Sequence, residues 1–213
     1  MLLIKKFVFS PFHENTYIIY DDVKKDAAVI DPGCYDEIEE KMLDDFIFSK
    51  SLRVQYLINT HCHIDHIFGN AFIKKKYNPI YLASEKDVFM IDLMIETAKS
   101  YDVELKKSPL PDKYIDETKI LSIGESHGRF IFTPGHTPGE YCLYFQNEKI
   151  CFTGDVLFKG SIGRTDLWGG DYNLLLNSIR EKLFCLPGDV VIYPGHESQS
   201  TIEDEKKHNP FFN

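Results

Sequence analysis

Residues 54–66 read Val-Gln-Tyr-Leu-Ile-Asn-Thr-His-Cys-His-Ile-Asp-His, the most informative part of the sequence. The first half is a short apolar run that is typical of a strand. Three imidazoles and one carboxylate then follow within six residues, at His61, His63, Asp65 and His66. Imidazoles this close would repel one another when protonated, whereas a metal cation accepts neutral imidazole and ionised carboxylate as ligands. The stretch therefore predicts a metal site at the end of a strand.

The spacing of these side chains indicates more than one ion. In an extended stretch, residues two apart point to the same side, so His61 and His63 can chelate one ion together. If a helix begins near Asp65, the side chains of Asp65 and His66 point elsewhere and can serve a second ion. A polar loop whose histidines bond to the backbone is the alternative. It is disfavoured because histidines follow predicted strand ends at five positions: His61, His63, His66, His136 and His196.

The rest of the chain interleaves predicted strands and helices. The first third predicts strands over 15–20 and 27–30, followed by a helix over 35–48. The predicted buried stripe of that helix is Ile38, Met42 and Phe46. The second half predicts further strands between 120 and 152 and over 190–193. Its predicted helices are one capped by Asp171, with Leu175, Ile179 and Leu183 on one face, and one opened by the capping box of Ser200 and Glu203. This order predicts a layered α/β domain with two mixed sheets inside and helices outside.

The composition describes an acidic globular chain. Its 213 residues carry 24 Lys and Arg against 33 Asp and Glu, a formal net charge of −9, which argues against a nucleic-acid partner because phosphate binding needs a basic surface. The length and the absence of a linker predict a single domain over residues 1–213. No apolar run reaches the roughly 20 residues of a membrane helix, so no membrane partner is predicted. Five scattered cysteines and the lack of a secretory signal favour a cytoplasmic location.

Four stretches together resemble the metallo-β-lactamase-fold hydrolases. They are Thr60 to Gly69, Thr133 to Gly139, Phe152 to Asp155 and Tyr193 to His196, in the order expected of that superfamily. The resemblance covers nearly the whole chain and implies an αββα sandwich of the metallo-β-lactamase type, with two mixed sheets between outer helices. Within the superfamily, the chain is most similar to short single-domain glyoxalase II-like (hydroxyacylglutathione hydrolase-like) proteins. The specific pointers are residues 160–166 and 203–210.

The resemblance implies seven ligands for two divalent metal ions. One ion would be held by His61, His63 and His136. The other would be held by Asp65, His66 and His196, with Asp155 bridging the two. Nitrogen and oxygen ligands without a thiolate fit zinc, the first expectation, and leave iron and manganese possible.

Two further residues have open roles. Asp31 resembles a family position that supports the histidine loop from behind the ligands, and a plain turn residue before Pro32 is the equal alternative. Arg164 follows Asp155 in the chain, where it could hold its own loop or meet an anionic substrate. The predicted catalytic residues are Asp65, Asp155 and Arg164.

The implied reaction is hydrolysis of an acyl thioester by a hydroxide that bridges the two metal ions. A thiol leaves as thiolate without an obligatory general acid, and the motifs offer no obvious acid besides the ligands, which favours a thioester over an amide. The small-molecule substrate would be S-lactoylglutathione or another thiol ester. Glutathione is in doubt because the chain ends soon after His196, without most of the helical region that helps bind it in two-domain glyoxalase II enzymes.

Three alternatives remain. A persulfide dioxygenase with a single iron shares the histidine-rich motif. A hydrolase of lactams, lactones or phosphoesters uses similar ligands. A binding protein with an inactive metal site is the least favoured, because no ligand is missing from the sequence.

Overall fold

The sequence folds into two compact units, each with its own sheet. The computed structural model describes residues 1–212. The first unit comprises Met1–Ile115 and Ser122–Ser126, and the second comprises Asp116–Leu121 and the described chain from His127 onward. The single domain over residues 1–213 stays a prediction. Across the described range, none of the helices combines the length and apolar character needed to cross a bilayer.

The first unit is built on a mixed sheet whose strands lie in chain order. They are β1 (Leu2–Phe9), β2 (Glu14–Asp21), β3 (Asp26–Ile30), β4 (Arg53–Ile58), β5 (Ile80–Ala83) and β6 (Lys113–Tyr114). The first three are antiparallel neighbours, whereas β3 to β6 run parallel. Parallel pairing aligns Ile30 at the end of β3 with Ile58 at the end of β4. The loops after both strands therefore leave from the same edge of the sheet, where α/β proteins place their sites.

The helices of the first unit are α1 (Glu37–Ser49), α2 (Ile64–Ile67), α3 (Asn70–Tyr77) and α4 (Val88–Ser100), with a 3₁₀ turn at Glu85–Asp87 before α4. The hydrophobic core combines Leu43 and Ile47 of α1 with Leu57 of β4 and Tyr81 of β5. Cys62 also lies in this core and is fully buried. The side chain between the first two histidines of the motif therefore serves packing.

The predicted buried stripe of α1 is wrong. Ile38 and Met42 are 71% and 51% exposed, whereas Leu43 and Ile47 are buried and Phe46 packs partly against the core. Both pairs are spaced i, i+4, so each forms an apolar stripe one turn long on a different side of the helix. Periodicity alone does not tell which of the two stripes faces a sheet.

The second unit is built on another mixed sheet. The residues around the β7–β8 turn, 122–126, are grouped with the first unit. In chain order its strands are β7 (Ile120–Ile123), β8 (Ser126–Phe132), β9 (Tyr141–Phe145), β10 (Ile150–Gly154), β13 (Val191–Pro194) and β14 (Ser200–Thr201), and a separate hairpin pairs β11 (Leu157–Phe158) with β12 (Ser161–Ile162). Strands β10 and β13 are parallel, with Gly154 opposite Pro194. The amide of Gly195 donates to the carbonyl of Gly154 at 2.7 Å. The residues after these two strands, Asp155 and His196, therefore start from adjacent points of one sheet edge.

The helices of the second unit are α5 (Tyr172–Ser178), continued by a π-helical turn at Ile179–Leu183, and α6 (Ile202–His208). The predicted stripe of Leu175, Ile179 and Leu183 is confirmed, since all three are fully buried. The predicted capping box of α6 is wrong. Thr201, not Ser200, caps the helix and accepts from the amide of Asp204. Ser200 belongs to β14, and its hydroxyl instead bonds to the carboxylate of Glu205.

Candidate metal centre

The histidine motif changes from extended backbone to helix within a few residues. Strand β4 ends at Ile58, His63 is still extended (φ −68°, ψ 158°), and α2 begins at Ile64. The condition for a second ion, a helix that begins near Asp65, is therefore met. Because the backbone turns here, the side chains of Asp65 and His66 leave in a different direction from those of His61 and His63.

The structure brings the four ligand-type side chains of this motif together. The ring centroids of His61 and His63 lie 4.9 Å apart, and those of His61 and His66 lie 4.0 Å apart. One ligand atom of Asp65 is within 4.8 Å of one of His66. All four residues are buried, with Asp65 the most exposed at 9%. Buried imidazoles this close are unfavourable as cations, so the cluster suits a bound cation better than protonated rings.

Asp31 supports this loop from the neighbouring strand end. Its carboxylate accepts from the amide of Thr60 at 2.8 Å and from the Thr60 hydroxyl at 2.7 Å, and it lies 3.1 Å from Nδ1 of His66. Asp31 also adopts a left-handed backbone (φ 47°) in the turn before Pro32, a conformation that aspartate tolerates better than most residues. The two alternative roles of Asp31 thus coexist, because the turn is what aims its carboxylate at the histidine loop.

Thr60 fixes the tautomer of His61. The hydroxyl of Thr60 gives its one proton to Asp31, so at 3.1 Å from Nδ1 of His61 it can only accept. Nδ1 of His61 therefore carries hydrogen, and Nε2 keeps the lone pair that a metal needs. Orientation of a ligand histidine by a bond to its other nitrogen is the usual arrangement in metal sites.

The second unit brings together His136, Asp155 and His196. Oδ2 of Asp155 lies 3.6 Å from Nε2 of His136 and 3.6 Å from Nε2 of His196. Nδ1 of His136 donates to the carbonyl oxygen of Arg164 at 2.7 Å, so Nε2 is again the unprotonated nitrogen. One carboxylate oxygen at the same distance from two imidazole nitrogens is an arrangement that a carboxylate shared between two metal ions could adopt.

Arg164 contributes its backbone to this site. Its guanidinium is exposed and forms a bidentate pair with Asp166 at 2.7 and 2.8 Å. That bond lowers the pKa of Asp166 to about 2. The carbonyl of Arg164 orients His136, whereas a catalytic role for its side chain stays a prediction.

Glu140 is a buried acid that the sequence did not single out. Its Oε1 accepts from the backbone amide of Asp155 at 2.7 Å, and the side chain is fully buried. Glutamate is usually exposed, so sequence alone did not mark this position as internal. Its place directly after the Thr133 to Gly139 motif is the only signal that could have pointed to it.

Glu14 is a second buried acid, beneath the turn that carries Asp31. The hydroxyl of Thr16 lies 2.8 Å from Oε2 of Glu14 and 2.9 Å from the carbonyl of Asp31, and it accepts from the amide of Gly33. That hydroxyl has one proton and the carbonyl can only accept, so a protonated Glu14 satisfies the whole group. Burial raises the pKa of Glu14 well above its usual value, with His66 opposing the shift and Asp31 adding to it.

The Glu14→Gln variant is therefore expected to be more stable than the wild type at neutral pH in the metal-free protein. Because the pKa of Glu14 is higher in the folded state, the unfolded chain loses this proton at a lower pH than the folded protein does. The stability that protonated Glu14 gives the wild type is therefore complete below the unfolded-state pKa and falls as pH rises above it. The stability difference should widen upward from about pH 5. Urea unfolding between pH 5 and 8 measures it. The exposed Glu96→Gln is the control, and equal pH profiles for Glu14→Gln and wild type would show that Glu14 is ionised in the fold.

The donor groups of both units fit divalent metal ions. Each half presents imidazole nitrogens and carboxylate oxygens, without a thiolate, and the tautomers of His61 and His136 leave Nε2 available. These are the ligands that zinc, iron and manganese accept in proteins.

The chain belongs to the metallo-beta-lactamase superfamily, whose model matches residues 10–196. It is 39% identical over 204 residues to the hydroxyacylglutathione hydrolase GloC of Haemophilus influenzae, covering 95% of this chain and 94% of that protein. It is also 31% identical over 199 residues to the human mitochondrial persulfide dioxygenase ETHE1, covering 92% of this chain and 70% of that protein.

Two solved structures are similar over almost their whole length. The B3 metallo-beta-lactamase BLEG-1 has a TM-score of 0.90 and 31% identity, covering 99% of this chain and 100% of its own. TTHA1623 in a di-iron-bound form has a TM-score of 0.86 and 29% identity, covering 97% and 99%. The predicted α/β fold of the metallo-β-lactamase type, with mixed sheets and helices, is confirmed. Superfamily membership and the His and Asp clusters indicate a metallo-hydrolase-type protein that binds divalent metal.

Proposed function

We propose that this protein is a binuclear metal-dependent thioesterase of the glyoxalase II type. The observation that carries the proposal is the complete donor set. Besides His61, His63 and His136, the chain keeps the ligands for a second ion: Asp65, His66, His196 and the bridging Asp155. The similarity to GloC over 95% of the chain supports the same reading. Zinc is the metal proposed first, with iron and manganese as the other candidates.

When bound, two such ions would supply Lewis acidity and a water acidic enough to act as a nucleophile near neutral pH. The chain's own residues determine how that chemistry is used. Asp155, whose Oδ2 lies 3.6 Å from Nε2 of both His136 and His196, would be a ligand to both ions. Asp65, the most exposed of the four motif side chains at 9%, would also hold a proton at its carboxylate during hydrolysis. The thiol leaves as thiolate, so the site needs no further acid.

The substrate proposed is a small-molecule acyl thioester, S-lactoylglutathione or the ester of another thiol. Arg164 is exposed and paired with Asp166. Its guanidinium would bind an anionic group of the substrate in place of the Asp166 carboxylate. Trp168, 43% exposed and four residues after Arg164 in the chain, would add an aromatic surface for the substrate. We also propose a cytoplasmic location, which rests on the cysteine pattern.

Persulfide dioxygenation is the second candidate, favoured by the similarity to human ETHE1 over 92% of the chain. A mononuclear iron site needs only two imidazoles and one carboxylate, which the chain supplies without Asp65, His66 and His196. The two candidates differ in whether Asp65, His66 and His196 hold a metal.

Thiol release and oxygen uptake on one preparation separate these candidates. We expect metal-dependent release of free thiol from S-lactoylglutathione or simpler acyl thioesters, equal in aerobic and anaerobic buffer. In parallel, oxygen uptake is measured with glutathione persulfide. Oxygen uptake far above any thioester cleavage, with iron as the bound metal, would establish the dioxygenase instead. Cleavage of a lactam, lactone or phosphoester in preference to every thioester would establish the other hydrolases.

A further inference from the structure

We propose that Glu205 and Asn209 are positioning residues that fix the orientation of His136 and His196 through the hairpin β11–β12. The inference rests on the proposed function in treating these histidines as metal ligands. Together with Ser200, the two residues form a group that we call the C-terminal clamp. The contacts that carry the inference lie within the second unit.

The clamp joins α6 to the turn of the hairpin. The Glu205 carboxylate accepts from the hydroxyl of Ser200, from the amide of Gly160 at 2.8 Å and from Nδ2 of Asn209 at 2.8 Å. Nδ2 of Asn209 also donates to the carbonyl of Ser161 at 3.0 Å. One amide of the hairpin turn and one carbonyl of β12 are thus bonded to α6 and the residue that follows it.

The hydrogen bonds of the clamp lie in a buried environment. Glu205 is 3% exposed and Asn209 is fully buried, whereas Glu203, on the same helix, is exposed and pairs with Lys207. A buried carboxylate is costly unless several donors satisfy it, and Glu205 has three. The hydroxyl of Ser200 serves the carboxylate and leaves the helix cap to Thr201. The arrangement therefore connects α6 to the hairpin through buried, charge-assisted hydrogen bonds.

The hairpin leads directly to His136. After β12, Gly163 packs so closely on Asp155 that a Cβ there would lie 1.9 Å from the Asp155 carbonyl oxygen and 3.1 Å from Nδ1 of His136. The next residue, Arg164, accepts from Nδ1 of His136 through its own carbonyl at 2.7 Å. A displaced hairpin would move this carbonyl, and the imidazole would lose the bond that presents Nε2.

The hairpin also leads to His196. Phe158 of β11 lies with its ring centroid 6.2 Å from that of His196, at an angle of 77°. This edge-to-face contact restricts rotation of the imidazole. His196 is less buried than His136, with its side chain 23% against 2% exposed. Because less of the His196 side chain is covered by protein, its orientation depends more strongly on each residue that contacts it, including Phe158.

The test compares zinc affinity with local opening of the hairpin. The variants are Glu205→Gln, which keeps the shape and removes the charge, and Asn209→Asp, which removes the donor to Ser161. Zinc dissociation constants are measured by competition with a chromophoric chelator. Hydrogen exchange of residues 157–164 is measured on the metal-free proteins. We expect both variants to exchange faster there and to bind zinc about 10-fold more weakly, the scale for outer partners of ligands.

Two matched variants separate positioning from general loosening. Glu203→Gln removes a carboxylate from the exposed face of α6, and Ile202→Val removes a buried methyl group from the same helix. Neither residue belongs to the clamp, and we expect both variants to bind zinc within twofold of the wild type. If either clamp variant fails to fold, as judged by circular dichroism, the other decides.

Three results would overturn the inference. They are unchanged exchange over 157–164 in the clamp variants, faster exchange with zinc affinity within twofold of the wild type, and an equal loss of affinity in Ile202→Val. Because none of these measurements uses turnover, they remain decisive even if no thioester is cleaved. Failure of the proposed activity and failure of the positioning role are therefore distinguishable.

Discussion

Asp155→Ala is expected to lower kcat/KM for thioester hydrolysis by about 10³-fold or more. The substitution removes the carboxylate oxygen that lies 3.6 Å from Nε2 of both His136 and His196. If Asp155 is the shared ligand, both metal ions lose a bond at once. Losing one electrostatic stabiliser of a transition state already costs about 10²–10³ in rate, and here two ions are affected. Steady-state kinetics and metal analysis of the same sample measure the effect.

The control is Asp189→Ala, the same substitution at an exposed carboxylate of the same unit that pairs with Lys149. Its activity should stay within about twofold of the wild type, as for most surface substitutions. The activity of Asp65→Ala should lie between those of Asp155→Ala and Asp189→Ala. This variant should keep the ion assigned to His61, His63 and His136 and lose the other. Full turnover and two bound ions in Asp155→Ala would show that the bridge is assigned to the wrong residue.

Metal removal is expected to abolish activity and to lower the melting temperature. Protein purified without chelators should carry more than one equivalent of zinc, iron and manganese combined, because the chain offers seven ligand-type residues. Stripping with a chelator leaves buried imidazoles and carboxylates without the cation that neutralises them. Ligand at 100 times its dissociation constant stabilises a fold by about 2.7 kcal/mol, which is visible by calorimetry.

Reconstitution is the control for this experiment. Adding back zinc, iron or manganese separately should restore both melting temperature and turnover, and lower pH should weaken binding because imidazole must be neutral to ligate. Metal content that stays at one equivalent or below after reconstitution would contradict the binuclear assignment.

The ligand clusters of each unit were predictable because they follow strand ends. Parallel strands bring their carboxyl ends to one edge, and the sequence shows both the apolar run of β4 and the polar residues after it. The start of α2 entered the sequence argument only as a condition, and the structure supplies it. The sequence therefore predicted which side chains gather within each unit without an estimate of their distances.

The supporting acids were not predictable in the same way. Glu14, Glu140 and Glu205 are all buried, and residue type alone does not distinguish them from exposed glutamates. Burial of a carboxylate depends on donors supplied from elsewhere in the chain, such as the amide of Gly160 for Glu205. The errors in α1 and at the cap of α6 have a related cause. In each case the sequence offered two local patterns, two apolar stripes or two capping residues, and tertiary contacts determine which one the structure uses.

His136 takes its orienting bond from a main-chain carbonyl, and this has a consequence for how substrate range could be re-engineered. A carbonyl is present whatever side chain stands at position 164, so Arg164 can be exchanged without deleting the acceptor that His136 uses. The exposed positions 166 and 168 share that freedom. Gly163 does not, because any side chain would collide with the Asp155 carbonyl. Libraries that vary residues 164, 166 and 168, with Gly163 kept, should change which substrates the protein accepts while leaving its metal chemistry intact.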